Sequence, residues 1–280
     1  MESVKLDYSH IAIIGNGFDL NLGLKTSYTN FVNGNEFKSL LNTDNFLADY
    51  LSNKHDLQNW IDVENELKEY SNSQNNLEAI NNFENDFVSV SKALKIYLDN
   101  ISYDNLNKSS YSYQLLEKIK DNDFLLLDFN YTRTTRTILT ELGISQMDIE
   151  ERHIKIHGSV EDGEIIFGIE DGATIKPQHV FLRKAYNQGF KAINVIDNLK
   201  NLKELYIIGH SLGETDHMYF KDFFAKQSYE HYYGKGKKIT LYHYGHDGYN
   251  QLFMQLDDLT DNHLSLFKRN NDFKTIDTSK

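Results

Sequence analysis

The chain has 280 residues, enough for one large α/β domain or two small ones. Its 40% hydrophobic and 25% charged residues are typical of globular proteins and exclude a largely disordered chain. The net charge of -12 disfavours binding to nucleic acid or to anionic membranes, because both would repel it. The absence of cysteine excludes disulfides and thiolate catalysis. Together with the lack of a signal peptide or long apolar run, this predicts a cytoplasmic protein without membrane contact.

Strand-like apolar runs recur along the chain and alternate with helical patterns. This alternation indicates an α/β fold with a doubly wound, mostly parallel sheet. A smaller strand pair is expected near residues 165–169. The predicted strands of the main sheet cover residues 10–14, 124–129, 153–157, 205–208 and 238–244.

Helical sequence interrupts this rhythm after the first strand-helix unit. Residues 60–70 and 77–98 carry apolar side chains at helical spacing, and no strand is predicted between residues 28 and 123. We therefore expect a helical insertion over residues 29–122. Because no linker rich in glycine, serine and proline separates it from the rest, the insertion belongs to a single domain spanning residues 1–280.

A glycine turn follows the first predicted strand. Gly15, Asn16 and Gly17 stand between an apolar run and a helical pattern, which is where α/β proteins bind phosphate on bare backbone amides. The dinucleotide fingerprint needs a third glycine where the chain has Leu20. Asp19 could instead cap the helix. From the residues alone, a phosphate-binding turn and a structural turn are both open.

Polar residues also follow the second and third predicted strands. Asn130 and His157 stand at strand ends that meet at the edge of the sheet carrying the glycine turn. An amide can donate and accept hydrogen bonds at once, and imidazole can take a proton from a hydroxyl near neutral pH. The alternative is structural, with Asn130 and Thr132 capping the next helix and His157 serving only in packing.

A second glycine turn follows the fourth predicted strand. The sequence Gly209-His210-Ser211-Leu212-Gly213 matches the lipase nucleophile elbow and would make Ser211 an acyl-transfer nucleophile. In lipases the acid and the histidine follow on further strands, whereas only one clear strand is predicted after Gly213. We therefore favour a cradle for phosphate or ribose over a serine hydrolase.

In their order, these motifs resemble the bacterial AbiH family of phage abortive-infection proteins. More distantly, they resemble the sirtuin-like, Rossmann-like fold that binds NAD. The chain lacks the four-cysteine zinc module of sirtuin deacylases, so the resemblance implies hydrolysis of NAD rather than deacylation of proteins. The motifs cover residues 15–19, 23–28, 59–64, 129–132, 156–158 and 209–212.

The resemblance implies a role for each motif. Asn130 would orient water or ribose, and His157 would act as the base on a ribose hydroxyl. The expected function is antiviral defence in which NAD is bound and its nicotinamide–ribose bond is hydrolysed without a metal. The residues implied to bind NAD are Gly15, Asn16, Gly17, Phe18, Asp19, Gly209, His210, Ser211 and Asp216.

Two other functions stay open. A metal-dependent nuclease or nucleotide hydrolase would gather a divalent ion with Asp19, Asp62, Glu64 and His157. A non-enzymatic sensor would bind a nucleotide without turnover. The expected partners are a small-molecule nucleotide and either a second copy of the chain or a phage-derived trigger. Trp60 has no assigned role.

Overall fold

A six-stranded parallel sheet lies at the centre of the protein. The structure, a computed structural model, describes residues 8–54, 60–73, 76–190, 199, 202–229 and 236–280. The order across the main sheet is β3-β2-β1-β6-β7-β8, so the predicted α/β class with a doubly wound, Rossmann-like sheet is confirmed. The strands are β1 (His10–Ile14), β2 (Phe124–Asp128), β3 (His153–Lys155), β4 (Gly158–Ser159), β5 (Glu164–Ile165), β6 (Glu204–Ile208), β7 (Lys238–His243) and β8 (Asp272–Asp277).

The central strands are apolar on both faces because helices cover both sides of the sheet. In β2 every residue is buried, and in β1 every residue after His10 is buried. This two-sided burial explains the continuous apolar runs in the sequence. Ile14 lies opposite both Asp128 and Ile208, so β1, β2 and β6 end at the same level.

Helices form a layer on each face of the sheet. One layer contains α7, α8 and α9, and the other contains α10, α11 and α12. The helices are α1 (Asn16–Asn21), α2 (Tyr28–Val32), α3 (Asn35–Leu40), α4 (Phe46–Ser52), α5 (Trp60–Ser73), α6 (Leu77–Asp99), α7 (Tyr111–Ile119), α8 (Thr134–Glu141), α9 (Gln146–Arg152), α10 (His217–Tyr229), α11 (Gly245–Leu259) and α12 (Leu264–Asn270).

The region predicted as a helical insertion packs around a hydrophobic core that is separate from the two cores against the sheet. Among the described residues of 29–122 there are helices and no strand. Helices α2 to α6 pack around Phe83 and Leu94, together with Phe167 and Leu182 from the segment that follows β5. Helix α7 lies within residues 29–122 but packs on the sheet.

The structure differs from the sequence expectations at several strand ends. The edge strand β8 was not predicted, and it pairs in parallel with β7 along its whole length. The third strand ends at Lys155, so His157 lies beyond it. The small pair joins β4 to β5 in an antiparallel ladder, whereas Ile169 makes only an isolated bridge to Arg183. No helix in the described parts of the chain has the length and apolar character needed to cross a membrane.

Candidate functional site at the carboxyl edge of the sheet

A cleft of about 550 Å³ opens at the carboxyl edge of the sheet, where β1 and β6 are neighbours. Strand order reverses between these two strands, and ligands of open α/β sheets bind at such switch points. All the sequence-predicted site residues except Phe18 line the cleft. Those residues are Gly15, Asn16, Gly17, Asp19, Asn130, His157, Gly209, His210, Ser211 and Asp216.

The two glycine turns pack directly against each other. A Cβ on Gly17 would lie 2.7 Å from the Cα of Gly209, and one on Gly209 would lie 2.0 Å from the nitrogen of Phe18. The amide of Gly17 donates to the carbonyl of Gly209 at 2.9 Å, and the amide of Phe18 donates to the carbonyl of Gly15. Because these amides are already paired, the glycines serve to join the turns and do not expose the Gly17 and Phe18 amides to a phosphate.

Asp19 is a buried residue of α1. It does not cap this helix, because the N-cap residue is Gly15. The hydroxyl of Thr132 donates to Asp19 Oδ2 at 2.7 Å, whereas Oδ1 has no hydrogen-bond partner among the described residues. Burial raises the pKa of the carboxyl to about 7. Asp19 can therefore present either a proton or a charge to the cleft near neutral pH.

Asn130 stands in a loop whose backbone is held by the side chains of Asp128 and Lys155. Its amide nitrogen donates to Asp128 Oδ1 at 2.9 Å. Lys155 Nζ donates to Asp128 Oδ2 at 2.8 Å and to the carbonyls of Asn130 and Thr132 at 2.9 and 2.6 Å. The buried side-chain nitrogen Nδ2 of Asn130 has no partner in the described part of the chain. The loop thus aims a free donor at the cleft.

The capping alternative for this loop is wrong. Helix α8 begins after Arg133, which is its N-cap residue and makes no side-chain capping hydrogen bond. The hydroxyl of Thr132 is used instead for the contact with Asp19.

His157 is a buried imidazole whose Nε2 has no hydrogen-bond partner among the described residues. Its ring meets the ring of Phe129 edge-on at 5.3 Å, and Nε2 lies 3.7 Å from Asp216 Oδ1. Burial lowers the pKa of His157 to about 3, and the positive charge of Lys184 adds to this effect. The imidazole is therefore neutral at physiological pH and can accept a proton or a hydrogen bond.

One end of the cleft is charged, and it contains Glu64, Lys184 and Asp216. The buried Lys184 stands at the centre of this charged end and was not predicted from the sequence. Lys184 Nζ lies 2.8 Å from Glu64 Oε1 and 3.7 Å from Asp216 Oδ1. Burial opposes the charge of Lys184, but the two carboxylates outweigh it and raise its pKa. Lys184 in turn keeps the pKa of Asp216 below its usual range despite burial. It follows an irregular stretch, and no motif or periodicity marks it.

His210 and Ser211 differ in their surroundings. His210 Nδ1 accepts from the amide of Leu212 at 2.9 Å, and Nε2 lies 3.4 Å from Asp216 Oδ2. Ser211 is exposed, and its Oγ accepts from the amide of Gly213. No hydrogen bond joins Ser211 to an imidazole within the described ranges. This geometry does not support a nucleophile elbow.

The number of strands after Gly213 does not exclude a nucleophile elbow. Two strands, β7 and β8, follow the turn where only one was expected. The evidence against a serine nucleophile is therefore the missing contact with an imidazole, because a lipase needs its serine within hydrogen-bond reach of a base.

Three residues singled out in the sequence lie away from the cleft or outside the description. Phe18 is buried in the core between the sheet and α7. The side chains of Trp60 and Asp62 lie outside the described residues. Among the side chains that the structure describes, no three acids or imidazoles lie close enough together to hold a metal ion. At Glu64 and Asp216, the ammonium of Lys184 already occupies the place of a cation.

The fold and the cleft define a class: a Rossmann-like α/β protein with a charged, largely buried site at the switch point of its sheet. The chain belongs to the family described as bacteriophage abortive infection AbiH, whose model matches residues 11–233. This membership suggests an anti-phage role by abortive infection. A search of curated proteins found no match to the chain.

Proposed function

We propose that the protein binds NAD in this cleft and hydrolyses the nicotinamide–ribose bond as its means of abortive infection. The observation that carries the proposal is a group of buried polar atoms at the cleft that have no hydrogen-bond partner among the described residues. Asn130 Nδ2, His157 Nε2, Asp216 Oδ1 and Asp19 Oδ1 form this group. Because an unpaired buried polar atom is costly, such a group favours a polar ligand.

The charges of the site suit the chemistry of this bond. When the C1′–N bond breaks, its electron pair leaves with nicotinamide and positive charge develops on the ribose. The carboxylate of Asp216, which is kept ionised by Lys184, would stabilise that charge in a site shielded from water. Asp216 and Lys184 carry opposite charges, whereas burial and the charge of Asp216 raise the pKa of Glu64.

Asn130 and His157 would act on the water and the sugar. The free donor of Asn130 would orient the attacking water, and neutral His157 would accept a hydrogen bond from a ribose hydroxyl. Water adds its oxygen to C1′ and releases one proton, which gives ADP-ribose, nicotinamide and H⁺. A weak base is sufficient here, because water becomes strongly acidic once it bonds to a cationic carbon.

Purified protein incubated with NAD tests the proposal, with the products resolved by mass. We expect nicotinamide and ADP-ribose from the parent chain. Asn130→Asp and His157→Phe should each lower turnover on the order of a hundredfold or more. The Phe variant keeps a ring against Phe129 while removing Nε2. The control is His246→Ala, an exposed histidine outside the cleft.

Three results would decide between the functions. Turnover by His157→Phe at the parental rate would remove His157 from the mechanism. Stoichiometric NAD binding without products would favour a sensor. The absence of both NAD binding and products would overturn the proposal. If the protein then showed another activity that is lost on adding EDTA, the metal-dependent alternative would be supported.

A further inference from the structure

The cleft continues beyond the charged end and reaches the carboxyl end of β7. Here the lining includes Tyr242, His243 and Tyr244, with Gly248, Gln251 and Leu252 from α11 and Thr278 after β8. No acid or lysine lines this end of the cleft within the described residues. The two ends of one cleft therefore differ in chemistry, one charged and one aromatic.

At this aromatic end, packing within the fold does not account for the exposed side chain of Tyr244. Its side chain is 74% exposed at the cleft, although tyrosine usually buries most of its ring. The described residues provide no hydrogen bond to its hydroxyl and no ring contact. A large, exposed, unpartnered aromatic surface at a cleft favours a flat ligand.

The backbone that presents Tyr244 is well fixed. Gly245, which follows it, has φ of +62° and donates its amide to Asp277 Oδ1 at 3.0 Å. His243 accepts at its carbonyl from the amide of Thr278 at 2.8 Å, and its Nδ1 lies 2.9 Å from the carbonyl of Gly245. The ring is therefore exposed on an ordered turn held by the end of β8.

The distance between the two ends suits a ligand with two nucleosides. Asn130 follows β2 and Tyr244 follows β7, and three strand intervals separate them, or about 14 Å at the usual spacing. A single nucleotide whose glycosidic bond lies beside Asn130 would place its phosphate near the glycine turns. A second nucleoside is needed to bring another ring to Tyr244.

We infer that Tyr244 forms a nucleobase subsite, on which the second base of a dinucleotide stacks while its first nucleoside occupies the charged end. The inference rests on the proposed function and adds to it the residue on which the second base of the dinucleotide would stack. The net charge of -12 disfavours a nucleic-acid strand as the source of the base.

Equilibrium binding to the purified full chain tests the subsite with NAD, nicotinamide mononucleotide and a short oligodeoxyadenylate. Tyr244→Ala should weaken NAD binding about fivefold or more, because a stacked base contributes this much. Tyr244→Phe should bind NAD like the parent. Affinity for nicotinamide mononucleotide should be the same in all variants, since it has no second base. Met254→Ala is the control, because Met254 is also exposed on α11 but lies outside the cleft lining.

The possible failures are distinguishable. Suppose that the parent binds NAD. If Tyr244→Ala binds NAD equally well, or if its affinities for NAD and for the mononucleotide fall by the same factor, the subsite is wrong and the proposed function stands. If the parent binds neither NAD nor the mononucleotide, both fail. Oligodeoxyadenylate binding that depends on Tyr244, without NAD binding, would overturn the subsite in favour of a nucleic-acid strand.

Discussion

At the scale of single residues, the site is built from polar groups whose burial changes their acid-base behaviour. Asp19 and His157 show this in opposite senses. Burial raises the pKa of Asp19 and lowers that of His157, so both groups favour their neutral forms. Such perturbed groups in a cleft are typical of functional sites.

Asp19 leads to a prediction about pH. Its folded pKa of about 7 lies above the unfolded value of about 4, so the unfolded chain loses this proton first as pH rises. Asp19 therefore costs stability as pH rises through that interval. We expect the stability gain of Asp19→Asn over the parent to increase by roughly 2–3 kcal/mol between pH 5 and pH 8, as measured by urea unfolding.

The comparison variant for this measurement is Asp247→Asn, at an exposed acid in α11. This variant controls for the replacement of an acid by an amide. A constant difference between Asp19→Asn and the parent would show that Asp19 titrates normally in the folded protein.

At the scale of elements, a buried ion pair joins the helical insertion to the cleft. Glu64 belongs to α5, and Lys184 belongs to a short 3₁₀ turn after β5. A second ion pair, between Lys68 and Glu170, connects the same helix to the same irregular segment. The second pair is more exposed and lies outside the cleft lining. The two pairs therefore allow a matched comparison.

We expect Lys184→Met to destabilise the protein by about 3–5 kcal/mol, because it leaves buried carboxylates without their cation. Lys68→Met should cost at most about 1 kcal/mol, since partly exposed pairs contribute little. Urea unfolding of both variants measures the difference. Adding Glu64→Gln to Lys184→Met should recover part of the loss. Equal effects of the two lysine variants would mean that the Glu64 pair is no more important than a surface contact.

At the scale of the whole molecule, the carboxyl edge depends on contact between two turns that are distant in the chain. The turn after β1 and the turn after β6 approach so closely that both need glycine. This contact brings the halves of the doubly wound sheet together at the switch point. The family match ends at residue 233, so residues of β7 and α11, together with Tyr244 and Thr278, complete the cleft from outside the matched region.

Gly17→Val should therefore destabilise the fold by about 1–3 kcal/mol, because its side chain would overlap the backbone of Gly209. Thermal unfolding measures this effect. Gly172→Val is the matched control, since no atom of the described residues lies within 4 Å of a Cβ placed there. Wild-type stability of Gly17→Val would mean that the turns can separate, and the glycine could then serve the ligand directly.

The sequence by itself determined the class of fold and the position of the site along the chain. The apolar runs of β1, β2 and β6 are local patterns, and two-sided burial in a parallel sheet requires them. Because parallel strands end at one edge, the residues after them, Gly15, Asn130 and Gly209, could be expected to meet there. Strand β8 was missed, because its half-buried residues do not form a continuous apolar run.

Only the tertiary structure decided which groups complete the site and what the glycines do. Glu64 and Lys184 come from distant segments with no shared pattern, so their pairing depends on how the insertion packs beside the sheet. Gly17 carries the same sequence signal whether it faces a ligand or another turn. Its role depends on the position of Gly209, because close contact between backbones is a property of the folded chain and not of its local sequence.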